Sequence, residues 1–407
     1  MADPSNRRRA WPPGESAEPR VEYSGGVWRI RAFKTARQVL KARASTTQAG
    51  FTAEHIPRGV IGRRPVLFAD GPHHDAQRQK VGRFFAPKVV ASRYTGIMRA
   101  SADRLLHRAA PGPLNVDELA LHYAVEVTRE VVGLTESSVE GMSRRLERFF
   151  DQPPFDITKP DLGRTKRQWA QAAINGLVPV ARFWWSDVRP AIKERRRRPR
   201  SDVVSHLIAE GYRDRDILVE CITYGTAGMV TTREFISMAV WHLLEDPGLR
   251  DRYLAADQAG RLAVLSEIIR LEPVVGHLYR RVHEEIVVTD DDAQWRIPPG
   301  HLVDLCIRQS NADPAAIGDL PLGLCPGRPL PRGVDAAGLS FGHGSHKCPG
   351  QPLALLETDV LLTALLPREP RILSEPRIGW DELVAGYTLR GFTVELTEPG
   401  PQGQHLR

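Results

Sequence analysis

A mainly α-helical fold with small β-pieces near its two ends is what this sequence predicts, and three observations carry that reading. Helical apolar periodicity dominates from about residue 70 to residue 285. Strand-like alternation appears in "VWRIRAF" (27–33) and returns in "EIVVTD" (285–290), "HLVDLC" (301–306) and "YTLRGFTVELT" (387–397). Between them, "ILVECITYGTAGMVTTREFISMAVWHLLE" (217–245) is apolar on nearly all sides through its middle, as a helix crossing the interior should be.

Composition narrows the class. With 42% hydrophobic and 26% charged residues over 407 positions, the chain has the balance of a soluble protein with a large core. Residues 1–20, rich in Pro, Arg and Ser, are expected to form a flexible N-terminal arm, and the lack of any Gly/Ser linker makes residues 21–407 one expected domain. The 56 basic against 49 acidic residues give a net charge of +7. These basic residues are scattered apart from a run at Arg195 to Arg198, which reads as a solvated helix end before Pro199, so no nucleic acid partner is expected. Cys221, Cys306, Cys325 and Cys348 form no CxxC pair and no zinc-like spacing, which fits a reducing cytoplasm. The N-terminus lacks a signal-peptide core and no apolar run approaches the ~18 residues of a membrane span, so no membrane association is expected.

The long helix is expected to be capped by Asp216 and stopped by Asp246 and Pro247. Its middle holds Gly225, Thr226, Ala227, Gly228, Thr231 and Thr232, a poor choice for helix propensity. Small side chains there allow something large to lie against the backbone.

The stretch "LSFGHGSHKCPGQPLALLE" (339–357) sets Cys348 behind a glycine-rich turn and ahead of an apolar helical pattern. Phe341, Gly342, Gly344, Cys348 and Gly350 give FxxGxxxCxG, a tight turn whose backbone N–H groups can point at the sulfur, and Pro352 suits a first helical turn. A thiolate near a helix N-terminus is favoured by the dipole and by such hydrogen bonds. Further back, "SEIIRLEP" places Glu267 and Arg270 at i and i+3, able to pair, 81 residues before the cysteine. "DGPHHDAQRQKVGRFFAP" places His74 and Arg78 on one helix face, both able to donate to a carboxylate.

From about residue 27 to 397, the chain with these motifs resembles the bacterial cytochrome P450 family, the haem-thiolate monooxygenases. The resemblance implies the cytochrome P450 fold, with the long helix over a haem, and makes Cys348 the iron ligand within a loop formed by Phe341, Gly342 and Gly350. It makes Glu267 and Arg270 a structural pair. It gives His74, Arg78 and His346 to the haem propionates, together with Arg280 or Arg281 in "GHLYRRVHEE", of which Arg280 is preferred. In "AGMVTT", Ala227, Gly228 and Thr231 match the family's oxygen-binding kink, and Thr231 supplies the alcohol that serves proton delivery. Thr231 bonding back to its own helix is the competing reading.

Three departures stand out. Val230 replaces the family's proton-delivering acid, which leaves Thr231, water or substrate to route protons, and leaves open hydroxylation or oxidative aromatic coupling. Leu355 stands where the family often has Arg, and only 27 residues precede Trp28. By the resemblance, substrate contacts come from residues 45–69 and 152–190, Tyr224, and Val274 to Leu278, a mixed set that suits a natural product such as a cyclic dipeptide. The cofactor is expected to be haem b, with O2 as co-substrate. No flavin domain follows, so electrons are expected from NAD(P)H through ferredoxin reductase and ferredoxin, docked on Lys347, Lys80 and Arg83. A non-catalytic haem sensor or carrier is the alternative.

Overall fold

The computed structural model describes residues 6–12, 15–50, 64–109 and 112–396. Helices that position the site are α1 (Gly71–Gly82), α2 (Val116–Val132), α3 (Val139–Glu147), α4 (Lys166–Phe183), α5 (Asp214–Glu245), α6 (Gln258–Leu271) and α7 (Gln351–Leu365). The fold is mainly helical with small sheets, as the sequence predicts. No helix among the described residues is long and apolar enough to cross a membrane.

Helix α5 is the axis of the core. It starts two residues before the expected cap, after Arg213, so Asp214 and Asp216 both lie in its first turn, where their charge suits the helix dipole. It ends before Asp246, whose carboxylate accepts from Leu249 N–H and so caps the next helix. Helix α2 lies along it, and the two approach closely because position 228 is glycine: a Cβ there would stand 3.1 Å from Thr128 Oγ1. A Cβ on Gly225 would likewise meet Leu146 of α3 at 3.2 Å. These glycines therefore serve helix packing, and Ala227 is the small residue of α5 left exposed.

A five-stranded sheet flanks the helices. Val21–Ser24 pairs with Val27–Ile30, which runs parallel to Leu302–Cys306; His277–Val282 and Thr46–Ala49 complete it antiparallel. Residues 277–282 fall within the stretch expected to be helical; α6 stops at Leu271 just before Pro273, and Leu278, Tyr279 and Val282 continue as a strand. The C-terminal stretch is two strands, Gly386–Arg390 and Thr393–Leu396, broken at Gly391 with φ +74°.

Two expectations are corrected. The described part of the arm is not loose: Ala10 is fully buried, Arg8 Nε donates to Leu271 O at 3.1 Å, and the N–H groups of Arg9 and Ala10 both donate to the Glu272 carboxylate. Glu272 is fully buried after the C-terminus of α6 and also meets Arg308 at 3.4 Å, so the arm is held by a carboxylate that needs donors. In the basic run, Arg195 is buried rather than solvated, pairing with Asp202 at 2.5 Å and Glu136 at 3.4 Å, while Arg197 and Arg198 remain exposed.

The Glu267–Arg270 pair is wholly internal. Arg270 Nε and Nη2 donate to the two Glu267 oxygens at 2.7 and 2.8 Å, and its remaining donors reach the carbonyls of Asn311, Pro321 and Gly323. Glu267 also accepts from Arg328 Nε at 3.0 Å and Cys325 N–H at 3.1 Å. Asn311 passes the constraint on: its Oδ1 accepts from Leu339 N–H at 2.7 Å and its Nδ2 donates to Ser340 Oγ at 2.9 Å. Leu339 and Ser340 lead into the cysteine loop. Removing one partner of a buried, hydrogen-bonded ion pair costs about 3–5 kcal/mol. Arg270→Ala should lower unfolding stability by that order in a denaturant titration; an unchanged midpoint and slope would contradict the structural assignment.

Candidate functional site

The cysteine loop is built by two obligatory glycines. Gly342 and Gly344 have φ of +69° and +72°, and a Cβ on Gly344 would lie 2.5 Å from the carbonyl oxygen of Leu40. Cys348 N–H closes the loop onto Phe341 O at 2.7 Å, and Gly350 forms the N-cap of α7. Burial pushes the Cys348 thiol pKa up; the N–H of Gly350, the Arg78 guanidinium, the N–H of Gln351 and Lys347 oppose it. Although protein surrounds the sulfur closely enough for that shift, the side chain remains accessible.

The cationic residues singled out by the sequence come together beside it. His74, nearly fully buried on α1, stacks at a tilt on His346 with ring centroids 4.2 Å apart. Burial and the neighbouring His346 lower the pKa of His74. His346 Nε2 meets Asp70 Oδ1 at 2.9 Å; burial pushes that carboxyl up, but His346, the Gln48 backbone and Arg280 together hold Asp70 below the usual range. Arg78, next to Cys348 electrostatically, has its pKa lowered by burial and forms no ion pair among the described residues. Arg280 is 4% exposed, donates to Tyr279 O at 2.8 Å, and is lowered to about 10 by burial, with Asp70 opposing. Arg281, the next residue along the strand, points to the other face and reaches Gly300 O at 3.3 Å.

Helix α5 runs unbroken past Thr231, without the expected kink. The Thr231 hydroxyl donates to Ala227 O at 2.6 Å, so it bonds back to its own helix. Thr231 and Val230 border a 460 Å³ cavity whose walls also carry Arg144, Glu147, Arg148, Phe150, Val274, Asp381, Tyr387 and Arg390. The cavity wall therefore mixes ionic and apolar groups.

The other expected contact residues are spread over the fold. Val274 lines the cavity, whereas Phe183 is core, Trp185 is 59% exposed, and Tyr224 is buried against Phe85. Residues 51–63 of the expected substrate stretch lie outside the described residues. Leu355 is buried in the main core, so no cation replaces the family's Arg there. Lys347 is paired with Asp335 at 2.8 Å and Lys80 with Glu210, which weakens the expected docking patch. On the sheet, His277, Asp304 and Cys306 bring ligand-type atoms within 4.8 Å, and the His277–Asp304 ion pair at 2.7 Å already satisfies two of them.

Sequence reading missed Asp70, which partners His346, and the buried cluster of Glu220, Gln77 and Tyr224. An Asp just before a helix is too common to single out, and only the fold brings α1 against α5. Gln77 Nε2 donates to Glu220 Oε1, while Gln77 Oε1, Glu220 Oε2 and the Tyr224 hydroxyl make no well-formed hydrogen bond.

These residues fit a haem. Arg78 and Arg280 are cations held away from bulk water with no carboxylate hydrogen-bonded to either among the described residues, a costly arrangement that a dianionic edge would relieve. Cys348 offers a sulfur that backbone N–H groups favour in its anionic form.

Comparison with known proteins agrees. The cytochrome P450 family profile matches residues 262–368. Erythromycin C-12 hydroxylase of Saccharopolyspora erythraea is 28% identical over 357 residues, covering 85% of this chain and 83% of its own length. Cyclomarin C epoxidase CymV of Salinispora arenicola is 27% identical over 74% of this chain and 73% of its own. Among solved structures, a mutant of P450 EryK in complex with erythromycin B superposes with TM-score 0.76 at 23% identity, covering 96% and 95% of the two chains. P450BioI in complex with a hexadec-9Z-enoic acid ligated acyl carrier protein gives 0.72 at 22%, covering 91% and 92%. The fold and the site thus define a haem-thiolate class of enzyme. Over residues 262–368 this chain matches the cytochrome P450 family, whose members are monooxygenases that use haem, O2 and electrons from redox partners, and its fold is theirs.

Two predictions follow from the local chemistry. Gly344→Ala should both destabilise the fold and weaken haem retention, because it strains a left-handed backbone and meets the Leu40 carbonyl; haem content after purification and thermal unfolding read the two effects. Burial raises the Glu220 carboxyl to about 8, against the opposing pull of the Val66 N–H, Gln77 and the nearby Tyr224 hydroxyl. Its folded pKa exceeds its unfolded one, so the contribution is fully present below about 4 and is lost as pH rises through about 8. Glu220→Gln should therefore remove a fall in stability between pH 5 and pH 8, measured by urea unfolding across that range; an identical pH profile would exclude Glu220 as its source.

Proposed function

We propose that this chain is a bacterial-type, cytoplasmic cytochrome P450 that tailors a small natural product by O2-dependent oxidation. Cys348 holds the iron of haem b; His74, Arg78, Arg280 and His346 bind its propionates; Phe341, Gly342 and Gly350 shape the loop around the sulfur; and Glu267 with Arg270 brace that loop. Electrons originate in NAD(P)H and arrive through ferredoxin reductase and ferredoxin. The observation that carries this reading is the convergence of Arg78 with both Cys348 and His74, beside an Arg280 to which no carboxylate is hydrogen-bonded among the described residues.

When bound, the haem supplies oxygen activation. The protein's residues supply position and protons. Ala227 is the exposed small residue of α5 and leaves room above the group, while Gly228 keeps α5 against α2. The Thr231 hydroxyl spends its proton on Ala227 O, so it must rotate to donate to a ligand or to water. Val230 offers no proton at all. Proton delivery therefore rests on Thr231 after rotation, ordered water, or the substrate itself.

The natural-product reading rests on relatives that hydroxylate erythromycin and epoxidise cyclomarin C, and on a cavity wall that mixes charged, aromatic and aliphatic groups. A long hydrocarbon would find no match in Arg144, Glu147, Asp381 and Arg390. The test is reconstitution with haem, NADPH, ferredoxin reductase and ferredoxin against a panel of macrolides, cyclic peptides and cyclic dipeptides. A product heavier by one oxygen supports hydroxylation or epoxidation, loss of two hydrogens supports coupling, and absence of oxygen-dependent product across the panel overturns the substrate class.

Arg280→Leu should weaken haem binding by about 10- to 100-fold, since a hydrogen bond to a charged group contributes about 1.5–3 kcal/mol. Haem transfer to apomyoglobin measures this. Arg281→Leu should leave the transfer rate unchanged; the reverse ranking would reassign the propionate contact.

A further inference from the structure

Strand register gathers three kinds of metal ligand on one face of the five-stranded sheet. Where His277–Val282 runs antiparallel to Leu302–Cys306, His277 stands opposite Cys306 and Tyr279 opposite Asp304. Residues opposite one another in such a ladder share a face, and so do residues two apart on a strand, so His277, Asp304 and Cys306 all project from the same side. One ring nitrogen of His277, one Asp304 oxygen and the Cys306 sulfur lie within 4.8 Å of one another. Among the described residues, no other group of three such side chains is placed to share an ion.

Each member is held in place by its surroundings. Asp304 is 6% and Cys306 2% exposed, on a strand buried along its whole length. The His277 ring lies 14° from parallel to that of Tyr279, and its Nδ1 meets Asp304 Oδ1 at 2.7 Å. Burial lowers the His277 pKa, but Asp304 and then Cys306 overcome it and raise it to about 10. The pocket thus favours positive charge at the imidazole, and a proton there answers a single carboxylate. With the imidazole neutral and the thiol ionised, as ligation requires, the trio carries two negative charges, which one divalent cation neutralises. Arg31, whose charge also reaches Cys306, is itself paired with Glu22 at 2.9 Å.

The donor set selects the ion. Mg2+ and Ca2+ take oxygen ligands, whereas thiolate, imidazole and carboxylate together suit Zn2+. Around a tetrahedral Zn2+ the nitrogen and oxygen stand roughly 3.3 Å apart and the sulfur and nitrogen roughly 3.6 Å. The His277–Asp304 contact therefore opens by about half an ångström and the sulfur closes in by side-chain rotation, with the ladder unmoved. The His277 side chain is 29% exposed, which admits the ion and a water as fourth ligand. A cysteine nucleophile activated by the His–Asp pair fits less well, because a substrate cannot reach a sulfur so deeply buried. None of the three residues borders the Thr231 cavity. We propose that His277, Asp304 and Cys306 bind one Zn2+ ion, which clips the strand carrying Arg280 to its neighbour.

The probe is Zn2+ alone, added to the haem-loaded full chain after stripping with a chelator. Elemental analysis after desalting should find one zinc per chain, and X-ray absorption at the zinc edge should show one sulfur at about 2.3 Å with nitrogen and oxygen near 2.0–2.1 Å. Saturating Zn2+ should raise the thermal midpoint, because the three ligands converge only in the folded chain. His277→Gln should lower zinc affinity by more than the roughly 10- to 100-fold that loss of a supporting partner costs. Cys306→Ser should remove the sulfur signal while haem content stays that of the native chain. Failure to retain zinc, zinc held as tightly by His277→Gln as by the native chain, or a zinc site without sulfur overturns the proposal. So does a sulfur signal that survives Cys306→Ser, since it places the ion on another cysteine. If Cys306→Ser does not fold, the sulfur count in the native chain and the His277→Gln affinity still decide.

Discussion

The buried Glu267–Arg270 pair is the constraint on which the rest of the site depends. An arginine with no exposed surface survives in a core only when its charge and all its donors are satisfied. Here Glu267 takes the charge and three loop carbonyls take the remaining N–H groups. Those carbonyls belong to residues 311–323, so satisfying one side chain fixes the course of a long irregular segment that has few ladder bonds of its own. Asn311 then fixes Leu339 and Ser340, and from there two left-handed glycines leave the chain no choice but to present Cys348 at the start of α7.

The opposite wall follows a different logic. Helix α5 is positioned by close packing, with Gly225 and Gly228 admitting α3 and α2, and Ala227 is what remains open. The cations beside Cys348 form a third layer, costly while unpaired. Asp70 partly relieves that cost through His346 and Arg280. A ligand carrying two carboxylates would complete the balance, and stability and cofactor binding would then draw on the same residues.

Much of this was legible in the sequence because the chemistry is local. The turn around Cys348, the i,i+3 pair of Glu267 and Arg270, and the i,i+4 placement of His74 and Arg78 each follow from spacing alone. What escaped depends on long-range neighbours. That Gly228 serves Thr128, that Arg195 is buried, and that residues 8–10 are held by Leu271 and Glu272 are facts about residues 7 to more than 260 positions away. Polar, proline-rich composition looks solvated until a buried carboxylate claims its donors. Arg280 and Arg281, which the resemblance left as alternatives, lie on a strand, where alternation sends neighbours to opposite faces.

The central claim is that Cys348 is the thiolate that holds the haem iron. The most direct test is the absorption spectrum of the ferrous carbon monoxide complex of the full chain, compared with Cys348→His reconstituted with the same haem. The account predicts the red-shifted Soret band of thiolate ligation in the native chain, and its replacement by an imidazole-type band in the variant with haem retained. An imidazole-type band in the native chain, or an unchanged band in the variant, would contradict it.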